Sequence, residues 1–99
     1  MVLEIAQIDV KEGMEARFEA GVAKAAPLFE RAKGCRSMSL RRSVEMPTRY
    51  RLFVEWETLE DHTVGFRSSA DFQEWRSLVA DCFASPPAVE HCETVVSGF

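Results

Sequence analysis

The stretch YRLFVEWETLEDHTVGF, from Tyr50 to Phe66, changes its hydrophobic period halfway along, and that change constrains the fold most. Tyr50, Leu52, Val54 and Trp56 alternate with Arg51, Phe53 and Glu55, the period of a strand with one face turned to a core. Thr58 then precedes Leu59, Glu60 and Asp61 with the spacing of a helix N-cap, its hydroxyl taking one free amide while a later carboxylate reaches back for another. A strand therefore runs into a short helix from Leu59 to near Phe66, with Trp56 at the junction. A small-molecule site is expected between the strand's apolar face and the following helices, where Trp56, His62 and Phe66 can converge.

The rest of the chain supplies partners for that strand. Residues 2 to 10 read as a first strand, with Val2, Ala6, Ile8 and Val10 on one face and Leu3, Ile5, Gln7 and Asp9 on the other. Both faces are partly apolar, which suggests a sheet covered on both sides. From Met14 the period becomes helical, Met14, Phe18, Val22, Ala25, Phe29 and Ala32 falling on one stripe. Pro27 has no amide to give to the preceding turn, so a kink or break is expected between Ala23 and Pro27. Gly34 suits the helix stop. Cys35 to Ser43 alternates Arg36, Met38, Leu40 and Arg42 against small residues, a second strand that joins the third as a hairpin through the Pro47 turn. Ser68 and Ser69 offer an N-cap for a further helix with Phe72, Trp75, Val79, Cys82 and Phe83 as its buried stripe. Ser85, Pro86 and Pro87 stop it, and Val89 to Val96 alternates as a last strand. The order β-α-β-β-α-β predicts an α+β, ferredoxin-like fold over residues 1–99, a four-stranded antiparallel sheet with helices on one face.

Composition excludes several classes. The net charge is −4 and no run of Lys or Arg is present. A nucleic-acid surface needs a dense basic patch, so none is expected. No apolar stretch approaches the roughly 20 residues that span a bilayer, and the first residues are acidic where a signal peptide is basic, so a cytoplasmic location away from membranes is expected. Cys35, Cys82 and Cys92 are odd in number, widely spaced and without a CxxC, which reads as buried thiols. The carboxylates and the two histidines are scattered, so no metal is expected. Helices on one face leave Phe53 and parts of the first and last strands exposed on the other. Each large apolar side chain left in water forfeits about 1.5 to 3 kcal/mol. A sheet-to-sheet homodimer through the open face is therefore predicted, with Arg51 and Glu55 as complementary charges.

The segments EIAQIDVKEG, AKGC, YRLFVEWETLEDH and SSADFQEW together resemble the antibiotic biosynthesis monooxygenase family of dimeric α/β barrel proteins, over essentially residues 1 to 96. These are scaffold patterns rather than a catalytic signature. The resemblance implies a pocket between sheet and helices that receives a small aromatic, phenolic or quinol-type compound, often oxidised by dioxygen with no metal or flavin, so no cofactor is expected. Many members carry a histidine where this chain has Gly65. Haem-degrading relatives use Asn, Trp and His at the positions of Gln7, Gly65 and Arg76, so haem degradation is not expected.

His62 is the first candidate for a catalytic base, since neutral imidazole can take a phenolic proton; a surface histidine of a helix's first turns is the bland alternative. Gln7, Phe29, Met38, Trp56, Phe66, Phe72 and Trp75 are the expected substrate-binding wall, although core packing alone explains most of them. His91 fits a sheet-face or dimer-interface histidine. Arg67 and Arg76 suit either an anionic group or solvated helix ends. The favoured function is a cofactor-independent monooxygenase. The alternatives are a non-catalytic small-molecule-binding or stress-related dimer, and an isomerase or lyase acting on a small carbonyl metabolite.

Overall fold

The computed structural model describes residues 1–99. Strands β1 (Val2–Asp9), β2 (Cys35–Arg42), β3 (Arg49–Trp56) and β4 (Ala88–Cys92) form an antiparallel sheet in the order β2-β3-β1-β4. Helices α1 (Glu15–Glu30) and α2 (Ala70–Val79) cover one face, and a π-helical segment, Asp61–Phe66, connects β3 to α2. This is the α+β, ferredoxin-like arrangement expected from the order of elements.

The alternation in β1 and β3 explains the layering. Directly opposed residues of an antiparallel pair point to the same face, and the pairs Glu4↔Val54, Ala6↔Leu52 and Ile8↔Tyr50 bring the two buried sides together under the helices. From α1, Phe18, Val22, Ala25 and Phe29 descend onto this surface, all buried. Phe18 packs on Tyr50 at 4.9 Å between ring centroids, and the Tyr50 hydroxyl donates to Glu19 Oε2 at 2.6 Å. Each such fully buried large side chain stabilises the fold by about 1.5 to 3 kcal/mol. The two helices approach closely at Gly21, where a Cβ would stand 2.8 Å from the Leu78 carbonyl oxygen. Only glycine fits there without a shift.

Several local expectations are corrected. Helix α1 continues through Pro27 to Glu30 without a break, because the missing amide falls in the last turn, where Arg31 still donates to the Pro27 carbonyl at 3.2 Å. In β2 a bulge between Cys35 and Ser37 shifts the phase, so Cys35, Met38 and Leu40 share the inner face opposite Trp56, Val54 and Leu52. An extra residue in one strand of a pair reverses the faces on one side of it, which simple alternation misses. Strand β4 stops at Cys92, and Val95 and Val96 are exposed. Cys82 is buried as expected, whereas Cys92 is exposed. Helix α1 ends at Glu30 with Arg31 as its cap, so Gly34, expected as the helix stop, instead takes φ 81° in the turn into β2, where the Cys35 amide donates to the Ala32 carbonyl at 3.1 Å.

The uncovered face carries Leu3, Ile5, Phe53 and Gln7, with Arg49 paired to Asp9 at 2.8 Å and Arg51 donating to Gln7 Oε1 at 3.1 Å. The guanidinium of Arg41 stands 5.0 Å above the Phe53 ring. No helix is long and apolar enough to cross a membrane.

Candidate active site

Trp56 ends β3 with no exposed surface, and its indole Nε1 donates to Glu4 Oε1 at 3.0 Å. Glu4 lies on the inner face of β1 between Val54 of β3 and His91 of β4, its direct cross-strand partners. The segment after β3 starts with half of the predicted cap: the Thr58 hydroxyl accepts the Asp61 amide at 3.1 Å, while no carboxylate returns the bond. It then winds as a π-helix, and that winding sets His62 against the strand ends. The His62 ring lies over Trp56, centroids 5.2 Å apart and planes 16° apart. Its Nε2 is 3.4 Å from Glu4 Oε1, and its Nδ1 is 2.7 Å from His91 Nε2. Three titratable groups from β1, the π segment and β4 thus form one continuous chain.

Burial governs the charge of these groups. His62 is 3 % exposed, and desolvation, with the positive field of Arg67 and the neighbouring His91, lowers its pKa to about 4. It is therefore neutral at pH 7. His91 is lowered by the same burial and by Arg67. Desolvation raises Glu4 above the ordinary carboxylate value, against the Trp56 hydrogen bond and Arg67, which favour the anion. With Glu4 ionised, the tautomers that satisfy every group place the His62 proton on Nε2, facing Glu4, and have His91 Nε2 donating to His62 Nδ1. Both Trp56 and His62 approach the same carboxylate oxygen, Oε1. The other, Oε2, has no hydrogen-bond partner in the protein, and Glu4 lines the adjoining cleft.

That cleft, about 770 Å³, lies between the sheet and α2. Its floor is Glu4, Ala6, Ile8 and Leu52, and its helical wall is Phe72, Trp75, Arg76 and Ala80. His62, Arg67 and the segment Phe83 to Pro87 complete the lining, with Val89 beside Ala6 on the sheet. Of the expected residues, His62, Phe72 and Trp75 face this space. Trp56 lies wholly beneath His62, and Phe66 is buried between Phe29, at 4.8 Å, and Trp56, at 5.5 Å. Phe29 supports Trp75 from behind at 5.2 Å. Two expected wall residues lie elsewhere. Gln7 points from the opposite face of the sheet because it is out of phase with Glu4 and Ala6. Met38 borders a separate shallow depression with Ala26, Pro27 and Cys35. Gly65 likewise lines another depression, beside Arg31 and Asp71.

Sequence reasoning missed Glu4. The available signal was a carboxylate in phase with Val2, Ala6 and Ile8 on the core-facing side of an apolar strand, a position that burial makes costly unless the group is bonded. His91, expected on a sheet face or at a dimer interface, is on the sheet, on the helix-covered side. No three His, Cys, Asp or Glu side chains converge in a geometry that would hold a metal ion.

An open-sided α+β sandwich with an acid-base chain at the end of an apolar cleft is the class of protein these features define. A model of the antibiotic biosynthesis monooxygenase family matches residues 1–78, and the chain belongs to that family. It is 45% identical over 95 residues to the uncharacterized protein YczJ of Bacillus subtilis (strain 168), covering 96% of this chain and 100% of YczJ. A Bordetella bronchiseptica protein whose crystal structure carries the same family description superposes with a TM-score of 0.94 at 59% identity, covering 96% of this chain and 97% of that one. SnoaB of Streptomyces nogalater, described as a cofactor-independent oxygenase, has a TM-score of 0.84 at 18% identity over 98% of this chain and 95% of its own; that likeness is one of fold.

Proposed function

We propose that the protein is a cofactor-independent monooxygenase that removes a proton from a small phenolic or quinol-type aromatic compound in this cleft, so that dioxygen reacts with the electron-rich anion. The observation that carries this reading is Glu4, a carboxylate lining an apolar cleft with one oxygen free of protein partners, backed by His62 and His91. A carboxylate whose pKa is raised by burial is a better base than an exposed one. His62 holds this carboxylate rather than meeting substrate first, since both of its ring nitrogens are engaged within the protein. In the simplest balanced case a methylene flanked by aromatic rings becomes a carbonyl: the carbon loses two hydrogens and gains one oxygen atom of dioxygen, and the second oxygen leaves as water. Arg67 stabilises the transient anion. The fold shared with SnoaB supports the reading.

A homodimer through the open sheet face belongs to the same proposal. Leu3, Ile5 and Phe53 are half-buried there within a single protomer, and covering them from a second copy recovers apolar burial that the helices cannot supply.

The test is dioxygen uptake by the purified protein with anthrone-like phenols and hydroquinones. Uptake well above the buffer rate, lost in Glu4→Gln, is the expected result. A rate equal to buffer across the panel excludes the oxygenase reading, and proton exchange into a carbonyl substrate without dioxygen uptake would favour an isomerase.

A further inference from the structure

Arg67 and Arg76 stand apart from the other arginines of the chain. Arg17, Arg31, Arg36, Arg42 and Arg49 each pair with a carboxylate. Arg51 bonds the Gln7 amide, and Arg41 covers the Phe53 ring. Arg67 and Arg76 make no salt bridge, side-chain hydrogen bond or cation–π contact, although the field of Arg67 reaches Glu4, and these two are the arginines that line the cleft. The backbone explains how each reaches the cleft. In the π winding the Arg67 amide donates to the His62 carbonyl at 3.1 Å, five residues back, which stacks Arg67 one turn beyond His62. An ordinary α-turn would have put Phe66 there. Arg76 lies one turn beyond Phe72 and next to Trp75, on the α2 face that forms the cleft wall. Among the lining residues Glu4 is the only carboxylate, and its Oε1 is occupied by Trp56 and His62. The cleft thus has an apolar aromatic wall, one proton-accepting oxygen and two uncommitted guanidinium groups.

We infer that the cleft selects an aromatic compound bearing a carboxylate or similar fixed anionic group, held by Arg67 and Arg76 while its ring lies against Phe72 and Trp75 and its ionisable hydroxyl faces Glu4. Guanidinium groups bind carboxylates in a planar, two-bonded fork and carry little hydration, so they suit an anion at the edge of an apolar surface. The two arginines also offset the repulsion between Glu4 and an anionic ligand. The inference rests on the proposed function only in taking this cleft as the substrate site; it does not require oxidation.

The test is calorimetric binding under nitrogen of a matched pair of probes, a hydroxynaphthoate with hydroxyl and carboxylate on opposite rings, and the corresponding naphthol. The wild-type protein is expected to prefer the hydroxynaphthoate by about tenfold or more, the scale of a charge-assisted hydrogen bond. Raising the salt concentration should shrink the preference. In Arg67→Gln and Arg76→Gln the ratio should fall, and in the double variant approach unity, while Arg17→Gln, outside the cleft, keeps it. Equal wild-type affinity for the two probes, or a ratio unchanged in the double variant, overturns the anion preference and leaves the oxygenase reading to its own test. Failure of both probes to bind at millimolar concentration overturns this cleft as an aromatic site altogether. Unchanged circular dichroism and melting temperature show that the variants are folded, since both side chains are exposed.

Discussion

Glu4 and His91 face one another directly across β1 and β4, and His62 touches both, 3.4 Å from the Glu4 carboxylate and 2.7 Å from the His91 imidazole. Residues far apart in the chain become one connected unit because the first and last strands are neighbours. The consequences for rate, stability and assembly can be measured.

Glu4→Gln should lower the rate of substrate oxidation by about a hundredfold or more, the contribution of a positioned general base. The amide oxygen can still accept the Trp56 indole proton, so the melting temperature should change little. In the wild type kcat/KM should rise with pH through an ionisation above the ordinary carboxylate range, because burial raises Glu4. A pH profile of the same shape in Glu4→Gln assigns that ionisation to another group.

Proton NMR of the His62 ring should show a midpoint near pH 4, as burial, Arg67 and His91 dictate. The folded pKa is below the unfolded value of about 6.5, so the unfolded state takes the proton first. The associated stability is present above pH 6.5 and is lost as pH falls towards 4. Relative to His62→Gln, the wild type should lose up to about 3 kcal/mol across that window. Raised Glu4 works in the opposite direction, which is why the comparison with the variant, rather than the wild-type curve alone, isolates His62. A stability difference independent of pH would contradict the assignment.

Gly21→Ala should destabilise the protein by about 1 to 3 kcal/mol, the usual result of forcing extra volume into a packed contact. The added methyl would stand 2.8 Å from the Leu78 carbonyl oxygen and 3.1 Å from Val79 Cγ1. Urea denaturation measures it, and a wild-type midpoint would mean that the two helices separate at little cost.

Ile5→Asp or Phe53→Asp should convert the proposed dimer to monomer in sedimentation experiments, since either buries an unpaired charge at the centre of the open face. Both side chains lie on the side of the sheet away from the helices, so each protomer should retain its fold. A wild-type mass of one chain at micromolar concentration would remove the dimer.

Much of the fold was legible because it depends on short-range regularities. Alternation in Tyr50 to Trp56 specified which side chains enter the core, Thr58 and Ser69 marked helix starts, and the stripes of α1 and α2 specified their buried faces. The errors arose where a local rule has a competitor. A bulge after Cys35 changed the phase of β2, and Pro27 was tolerated because it falls in a final turn. The π winding of Asp61–Phe66 has no signature in the composition of that segment, since it changes hydrogen-bond spacing by a single residue.

The site was less legible. Helical spacing points His62, Phe72 and Trp75 towards the cleft, whereas alternation alone sends Gln7 to the other face and puts Glu4 on the core side without marking it as part of a site. Hydrophobic period reports the face on which a residue lies and nothing about which strand lies beside it. From the amino acids alone came the order of elements and a family resemblance. The tertiary structure decided that Glu4, His62 and His91 form one chain and that Arg67 and Arg76 border one cleft, because those contacts depend on strand order, register and helix winding, which are settled only when the whole core packs.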